Sequence, residues 1–206
     1  MERSAKKGFT FIEMLAVIGI VAVLIVVTAM SYAKFAASGE TAKCQELVRN
    51  TATAMAAIFN RDGFWPKVLR GDGGGEDGVL DAVRAYPLAH NNYMTLSSSG
   101  DKLSGYDRFG IVTPWAAAVI KRNGSAAKLS DRVPTGGTIQ DHILHYAVDL
   151  DGDGVIPNAT IGGKKVTLRA TVAVWCCGRN GVIEAWTADG KGDNVYSFSA
   201  AEVKDE

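Results

Sequence analysis

Residues Gly8-Phe9-Thr10-Phe11-Ile12-Glu13 lead into MLAVIGIVAVLIVVTAM, which runs from Met14 to Met30. Within the 22 residues from Phe9 to Met30, only Thr10, Glu13, Gly19 and Thr28 are not strongly apolar. About 20 such residues in a helix span a bilayer core of roughly 30 Å, and in lipid the backbone must satisfy its own hydrogen bonds, so the run reads as a membrane helix. Arg3, Lys6 and Lys7 precede it, with Glu2 offsetting one charge, which keeps that end cytoplasmic and sends the remainder outward. The rival is a cleaved signal peptide with a cut near Ala36-Ala37-Ser38. Its apolar core, however, is ordinarily about 7–15 residues and carries no carboxylate near its start.

Glu13 admits two readings. As a carboxylate at the edge of an apolar helix it can snorkel to the headgroups. If the chain is cut after Gly8, Glu13 becomes the fifth residue behind a free Phe9 amine. In a bundle of copies it could then meet the amine of a neighbour, which fixes axial register more than it adds affinity.

KKGFTFIEMLAVIGIVAVL resembles the leader and N-terminal segment of type IV pilins and of type II secretion pseudopilins. The resemblance covers about 25 residues. It implies a leader at residues 1–8, cleavage between Gly8 and Phe9 by a prepilin peptidase, methylation of Phe9, and assembly through Glu13. It further implies an α+β fold: a long N-terminal transmembrane and stalk helix packed on a small antiparallel β-sheet head. The expected divisions are a membrane and filament-core helix over 9–30, its periplasmic continuation over 31–61, and a head over 62–206.

From Ser31 to Asn60 there is no proline and good helix formers are frequent. Cys44, Leu47, Val48, Thr51, Met55, Ile58 and Phe59 fall on one face that should pack on a sheet. Ser38-Gly39 marks a possible bend, and Asp62-Gly63 with Pro66 the stop. One helix from Phe9 to Asn60 would be about 78 Å long, suited to a stalk. Beyond it, Val79–Tyr86 reads as a short helix ended by Pro87 and Asn123-Gly124 as a hairpin turn; Asp107–Trp115 resembles the pseudopilin segment that leads into the first strand, which implies a short strand near Ala116–Lys121. Lys165–Trp175 alternates with Val166, Leu168, Ala170, Val172 and Val174 on one parity, and Val182–Trp186 reads as its hairpin partner after Arg179-Asn180-Gly181.

Asp149-Leu150-Asp151-Gly152-Asp153-Gly154-Val155 matches the first half of an EF-hand-type loop. Alternate carboxylates supply oxygens, a glycine makes the sharp turn, and the Val155 carbonyl would follow. Thr160 stands where that motif needs a bidentate glutamate. A Ca²⁺ site and a metal-free Asx-rich turn both stay open, and hard oxygen ligands without His or Cys favour Ca²⁺ over zinc. The stretch Trp186–Phe198 looks like the C-terminal calcium loop of major pseudopilins, which makes Asp189 and Asp193 acidic candidates; Asn194 departs from the usual acid. His142 and His145 have no carboxylate at matching spacing. Cys44 reads as a small apolar core residue, or as a disulfide partner of Cys176 or Cys177 if the head lies outside the cytoplasm.

Lys+Arg and Asp+Glu are both 22, so no basic excess points to nucleic acid, and three Cys cannot build a disulfide scaffold. No nucleophile elbow, P-loop, zincin or Rossmann motif appears, so no enzyme is expected. The expected role is a structural subunit of a secretion pseudopilus in the bacterial inner membrane, single-pass, with the head in the periplasm. Its partners would be other pseudopilins, the prepilin peptidase, the inner-membrane assembly platform and lipid. The alternatives are a type IV pilin for adhesion, motility or DNA uptake, and a membrane-anchored calcium-binding module or enzyme.

Overall fold

The computed structural model describes residues 10–70, 77–90, 109–187 and 192–204. Helix α1 runs Phe11–Asp62, 52 residues, and stays helical through Ser38-Gly39, so the possible bend does not interrupt it. The chain nevertheless divides into two compact units after Gly39. In the first unit the helix begins with a capping box. The Thr10 N–H and Oγ1–H both donate to Glu13 Oε2 (2.7 and 2.9 Å), and the Glu13 N–H donates back to Thr10 Oγ1 (3.3 Å). Thr28, the hydroxyl inside the apolar run, donates to the Leu24 and Ile25 carbonyls, so it needs no external partner.

In the second unit α1 continues from Glu40 with Cys44, Val48, Thr51, Ala54, Met55 and Ile58 buried. These are the positions expected from the 3–4 residue spacing, with Ala54 added and with Leu47 and Phe59 only partly buried. They pack on one face of a four-stranded antiparallel sheet, ordered β1 (Asp77–Val79), β2 (His145–Val148), β5 (Val172–Cys176), β6 (Val195–Tyr196). Tyr146, Val148, Val174 and Cys176 point to that helix layer. Ala147, Ala173 and Trp175 point the other way, as strand alternation requires. There they meet a second antiparallel sheet, β3 (Ile156–Ile161), β4 (Lys164–Leu168) and β7 (Val203–Lys204), through Ile156, Ile161, Val166 and Leu168. The head is therefore helix, sheet, sheet, an α+β architecture of the expected kind with a second sheet that the sequence reading did not anticipate.

Five expectations change. The alternating run Lys165–Trp175 is two strands in two different sheets, broken at 169–171; of its one-parity set only Val172 and Val174 face the helix layer, while Val166, Leu168 and Ala170 pack in the other cluster. Val182–Trp186 is not a strand, because both edges of β5 are taken by β2 and β6. That segment is held instead by Asn194, whose Oδ1 accepts the Glu184 N–H and whose Nδ2 donates to the Glu184 carbonyl (3.3 and 2.7 Å). The tight hairpin lies at Gly162-Gly163 between β3 and β4, where φ is +57 and +82, the left-handed pair that such turns demand.

Ala116–Lys121 is helical, inside α3 (Pro114–Asn123). Pro114 opens it at its first turn and Gly124 closes it at φ 54 with its N–H on the Ile120 carbonyl, so Asn123-Gly124 ends a helix rather than turning a hairpin. Val79 belongs to β1, and helix α2 starts later, at Ala82–His90. Asp81 caps it by accepting the Val83 and Arg84 N–H groups (3.1 and 2.9 Å). Pro87 lies inside α2, costing one hydrogen bond without ending the helix.

Gly110 has φ +94, and a Cβ there would lie 2.1 Å from the Leu80 carbonyl oxygen. That close approach lets the Ile111 N–H reach Leu80 (2.9 Å). Gly124 has φ +54 but open space around it. Gly110→Ala is therefore expected to cost more than about 2 kcal/mol in urea unfolding of the detergent-held chain. Gly124→Ala should cost about 1 kcal/mol; equal costs would contradict this packing.

Candidate assembly segment and acidic loop

Phe11–Thr28 is a helical span long and apolar enough to cross a membrane, with mean hydropathy 2.8 and no residue of it buried among the described residues. Thirteen large apolar side chains from Phe11 to Val27 are 47–79% exposed. At about 1.5 kcal/mol or more for each side chain fully covered, removing this surface from water is worth on the order of 20 kcal/mol. Glu13, the only acidic residue of the run, sits at its start as the N3 member of the capping box, where a carboxylate also faces the positive end of the helix dipole. The T-x-x-E spacing of Thr10–Glu13 is the local sequence signal of that box. Gly8 and Phe9, the residues assigned to cleavage and methylation, lie outside the described residues.

The second site is the loop between β2 and β3. Carboxylate oxygens of Asp149, Asp151 and Asp153 lie within 4.8 Å of one another, the former buried and the latter two exposed. Asp149 shapes the loop: one oxygen accepts the Gly152 N–H and the other the Gly154 N–H, both at 2.7 Å. Asp153 Oδ1 accepts the Val155 N–H at 2.7 Å. Glycines 152 and 154 have φ +80 and +82, which lets the backbone fold back over Asp149. The loop is seated on the end of α1. The Trp65 indole N–H donates to the Asp149 carbonyl, and Trp65 stacks on Phe59 with ring centroids 5.0 Å apart. Trp65 is far from the loop in sequence, and no local pattern reveals its role.

Three converging carboxylates, each with a lone pair left after these backbone contacts, can chelate a divalent cation. Thr160 cannot complete an EF-hand shell. It lies in β3 opposite Lys165, and its N–H donates to Asp77 Oδ2 at 3.2 Å. Asp193 is not in the group either. Its Oδ2 accepts the Asn180 N–H at 2.9 Å, while its Oδ1 is buried with no hydrogen-bond partner among the described residues. Asp189 lies outside the described residues.

Asp193 instead lends its charge to a buried knot around His142. The His142 Nδ1 is 2.8 Å from Thr113 Oγ1 and 3.3 Å from Cys177 Sγ, and its Nε2 is 2.9 Å from the Gly136 carbonyl. Burial pushes the Cys177 thiol up to about 12, so this cysteine beside a histidine stays protonated and unreactive. Burial also holds His142 below the usual histidine range, against the Gly136 hydrogen bond and the charges of Asp141 and Asp193. His145, stacked on Trp175, is lowered by burial against the pull of Asp77.

Both imidazoles thus have folded-state pKa values below the unfolded value of about 6.5. The unfolded chain takes up protons first, so stability is full above that value and falls as pH drops below it towards the depressed folded values. Urea midpoints should decline from pH 7.5 to 5, and His142→Gln should flatten part of that slope. A level profile would contradict neutral buried histidines.

A family model described as a prokaryotic N-terminal methylation motif matches residues 3–29. No curated protein and no solved structure matches the chain. The matched residues take in the Gly8-Phe9 junction, Glu13 and the whole exposed apolar span, so the chain carries a prepilin-type methylation segment, consistent with the broader type IV pilin and pseudopilin group and with processing by a prepilin peptidase.

Proposed function

We propose that this chain is a structural subunit of a secretion pseudopilus, which works by assembly and not by catalysis. The observation that carries the reading is the uncovered apolar helix Phe11–Thr28 with Glu13 at its start, inside a methylation segment. Leader removal frees the Phe9 amine. The subunit waits in the inner membrane, where lipid covers the span and the head stands in the periplasm. On extraction by the inner-membrane assembly platform, neighbouring helices replace lipid around the same surface. Glu13 then exchanges its own Thr10 contacts for the Phe9 amine of a neighbour, pairing two charges that would otherwise be buried alone. The preference for a secretion pseudopilus over a surface pilus rests on the likeness of Trp186–Phe198 to the C-terminal loop of major pseudopilins.

Glu13→Gln separates this role from helix capping, since the amide oxygen can still accept from Thr10 while the charge is gone. Glu13→Gln and Glu13→Leu should both be cleaved nearly normally yet give at least about tenfold fewer filaments, because one unpaired member of a buried ion pair costs about 3–5 kcal/mol. Wild-type filament yield from Glu13→Gln would refute the assignment.

The loop Asp149–Val155 is read as a structural Ca²⁺ site held by Asp149, Asp151 and Asp153. A bound cation would offset the mutual repulsion of the three carboxylates and stiffen the link between β2, β3 and the end of α1. With a dissociation constant of about 10⁻⁴–10⁻³ M, millimolar calcium should raise the melting temperature by about 1–5 °C. The increment should vanish in the Asp151→Asn/Asp153→Asn double variant; an unchanged melting temperature in wild type after chelation would remove the metal.

A further inference from the structure

Cys44 and Cys176 meet in the centre of the head. Cys44 lies in the first turns of α1 that pack with the head, and Cys176 ends β5, the strand between β2 and β6. Both are fully buried, and their sulfurs are 3.0 Å apart, closer than two sulfurs sit in ordinary contact. They are thiols in this structure. A shortening of about 1 Å brings the pair to bonding distance. Cys177 is excluded from the pair by its engagement with His142.

We propose that Cys44 and Cys176 form a disulfide that staples the helix to the central strand of the head. The inference rests on the reading that the head stands outside the cytoplasm, where a protein disulfide of the thiol–disulfide oxidoreductase class supplies the oxidant. One cysteine thiolate attacks the oxidant's disulfide, releasing one oxidant thiol and leaving a mixed disulfide. The second cysteine loses its proton and attacks the protein-side sulfur, expelling the second oxidant thiol. Two S–H bonds become one S–S bond, and two electrons and two protons leave with the oxidant. In the packed head the Cys44 contact and burial hold the Cys176 thiol well above its ordinary range. The exchange therefore belongs to folding, before α1 docks, and the finished bond is shielded from reductants.

The bond would join residues 132 apart in sequence, a long closed loop of the kind whose cross-linking restricts the unfolded chain most. It also sits where load enters. Drawing the apolar helix out of lipid pulls on α1, and a staple in its first docked turns carries that pull into the sheet.

The test uses the full chain made in cells that export it. Membranes are denatured in the presence of iodoacetamide, without reductant, and the protein is mapped by mass spectrometry. A linked Cys44–Cys176 peptide pair with Cys177 alkylated is expected. Three alkylated cysteines, or a bridge through Cys177, would overturn the pairing when protease added to spheroplasts digests the head. A head protected from that protease would instead defeat the topology, and the pairing is then decided on purified chain. Denatured, reduced and refolded in detergent with a glutathione redox mixture, it should close the same bond and melt about 5–15 °C higher than when refolded in dithiothreitol. Three free thiols after glutathione refolding, or equal melting temperatures, would reject the staple.

Discussion

Among the described residues, nothing covers the apolar surface between Phe11 and Thr28. A helix apolar all round is stable only inside something apolar. The remaining features suit that constraint. Thr28 satisfies its hydroxyl on its own backbone, and the capping box closes the exposed first turn. From Glu40 onward the same helix becomes one-sided, with Cys44, Val48, Met55 and Ile58 facing a sheet. The helix thus offers two kinds of surface in succession, the first uncovered among the described residues and the second packed on the sheet.

The head is organised to hold that second surface. β5 is the hub: it pairs with β2 and β6, sends Val174 and Cys176 to the helix layer, and sends Ala173 and Trp175 to the second sheet. The acidic loop departs directly from β2. Its first carboxylate is buried and folded against backbone N–H groups, and its backbone is tied by Trp65 to the residues that follow α1. A loop fixed in this way keeps Asp151 and Asp153 presented together whether or not an ion is bound.

Most of the helix was legible because a period of 3.6 residues survives in the spelling from Cys44 to Phe59, and because a span as long and apolar as Phe11–Thr28 allows few alternatives. The acidic loop was legible for a similar reason: its carboxylates and glycines are contiguous. What failed was partnership. Alternation from Val166 to Val174 is identical whether the chain stays in one sheet or crosses to another, and only the break at 169–171 decides. β1 has three residues, two of them Asp and Gly, too few to carry a pattern. Ala116–Lys121 is helical where the likeness of the preceding segment to a pseudopilin implied a strand, and Pro114 and Gly124 at its two ends are the local signals that favour the helix. Trp65, Asn194 and the choice of Cys176 over Cys177 depend on contacts between distant segments, which no local spacing records.

Assembly through the apolar helix requires removal of the leader at Gly8-Phe9. Its most direct test is the intact mass and N-terminal peptide of the chain recovered from bacterial membranes that contain a prepilin peptidase. A chain starting at Phe9 with one added methyl group on its amine is the result expected. A chain that keeps Met1, or one that starts after Ser38 and so has lost the helix, would contradict it.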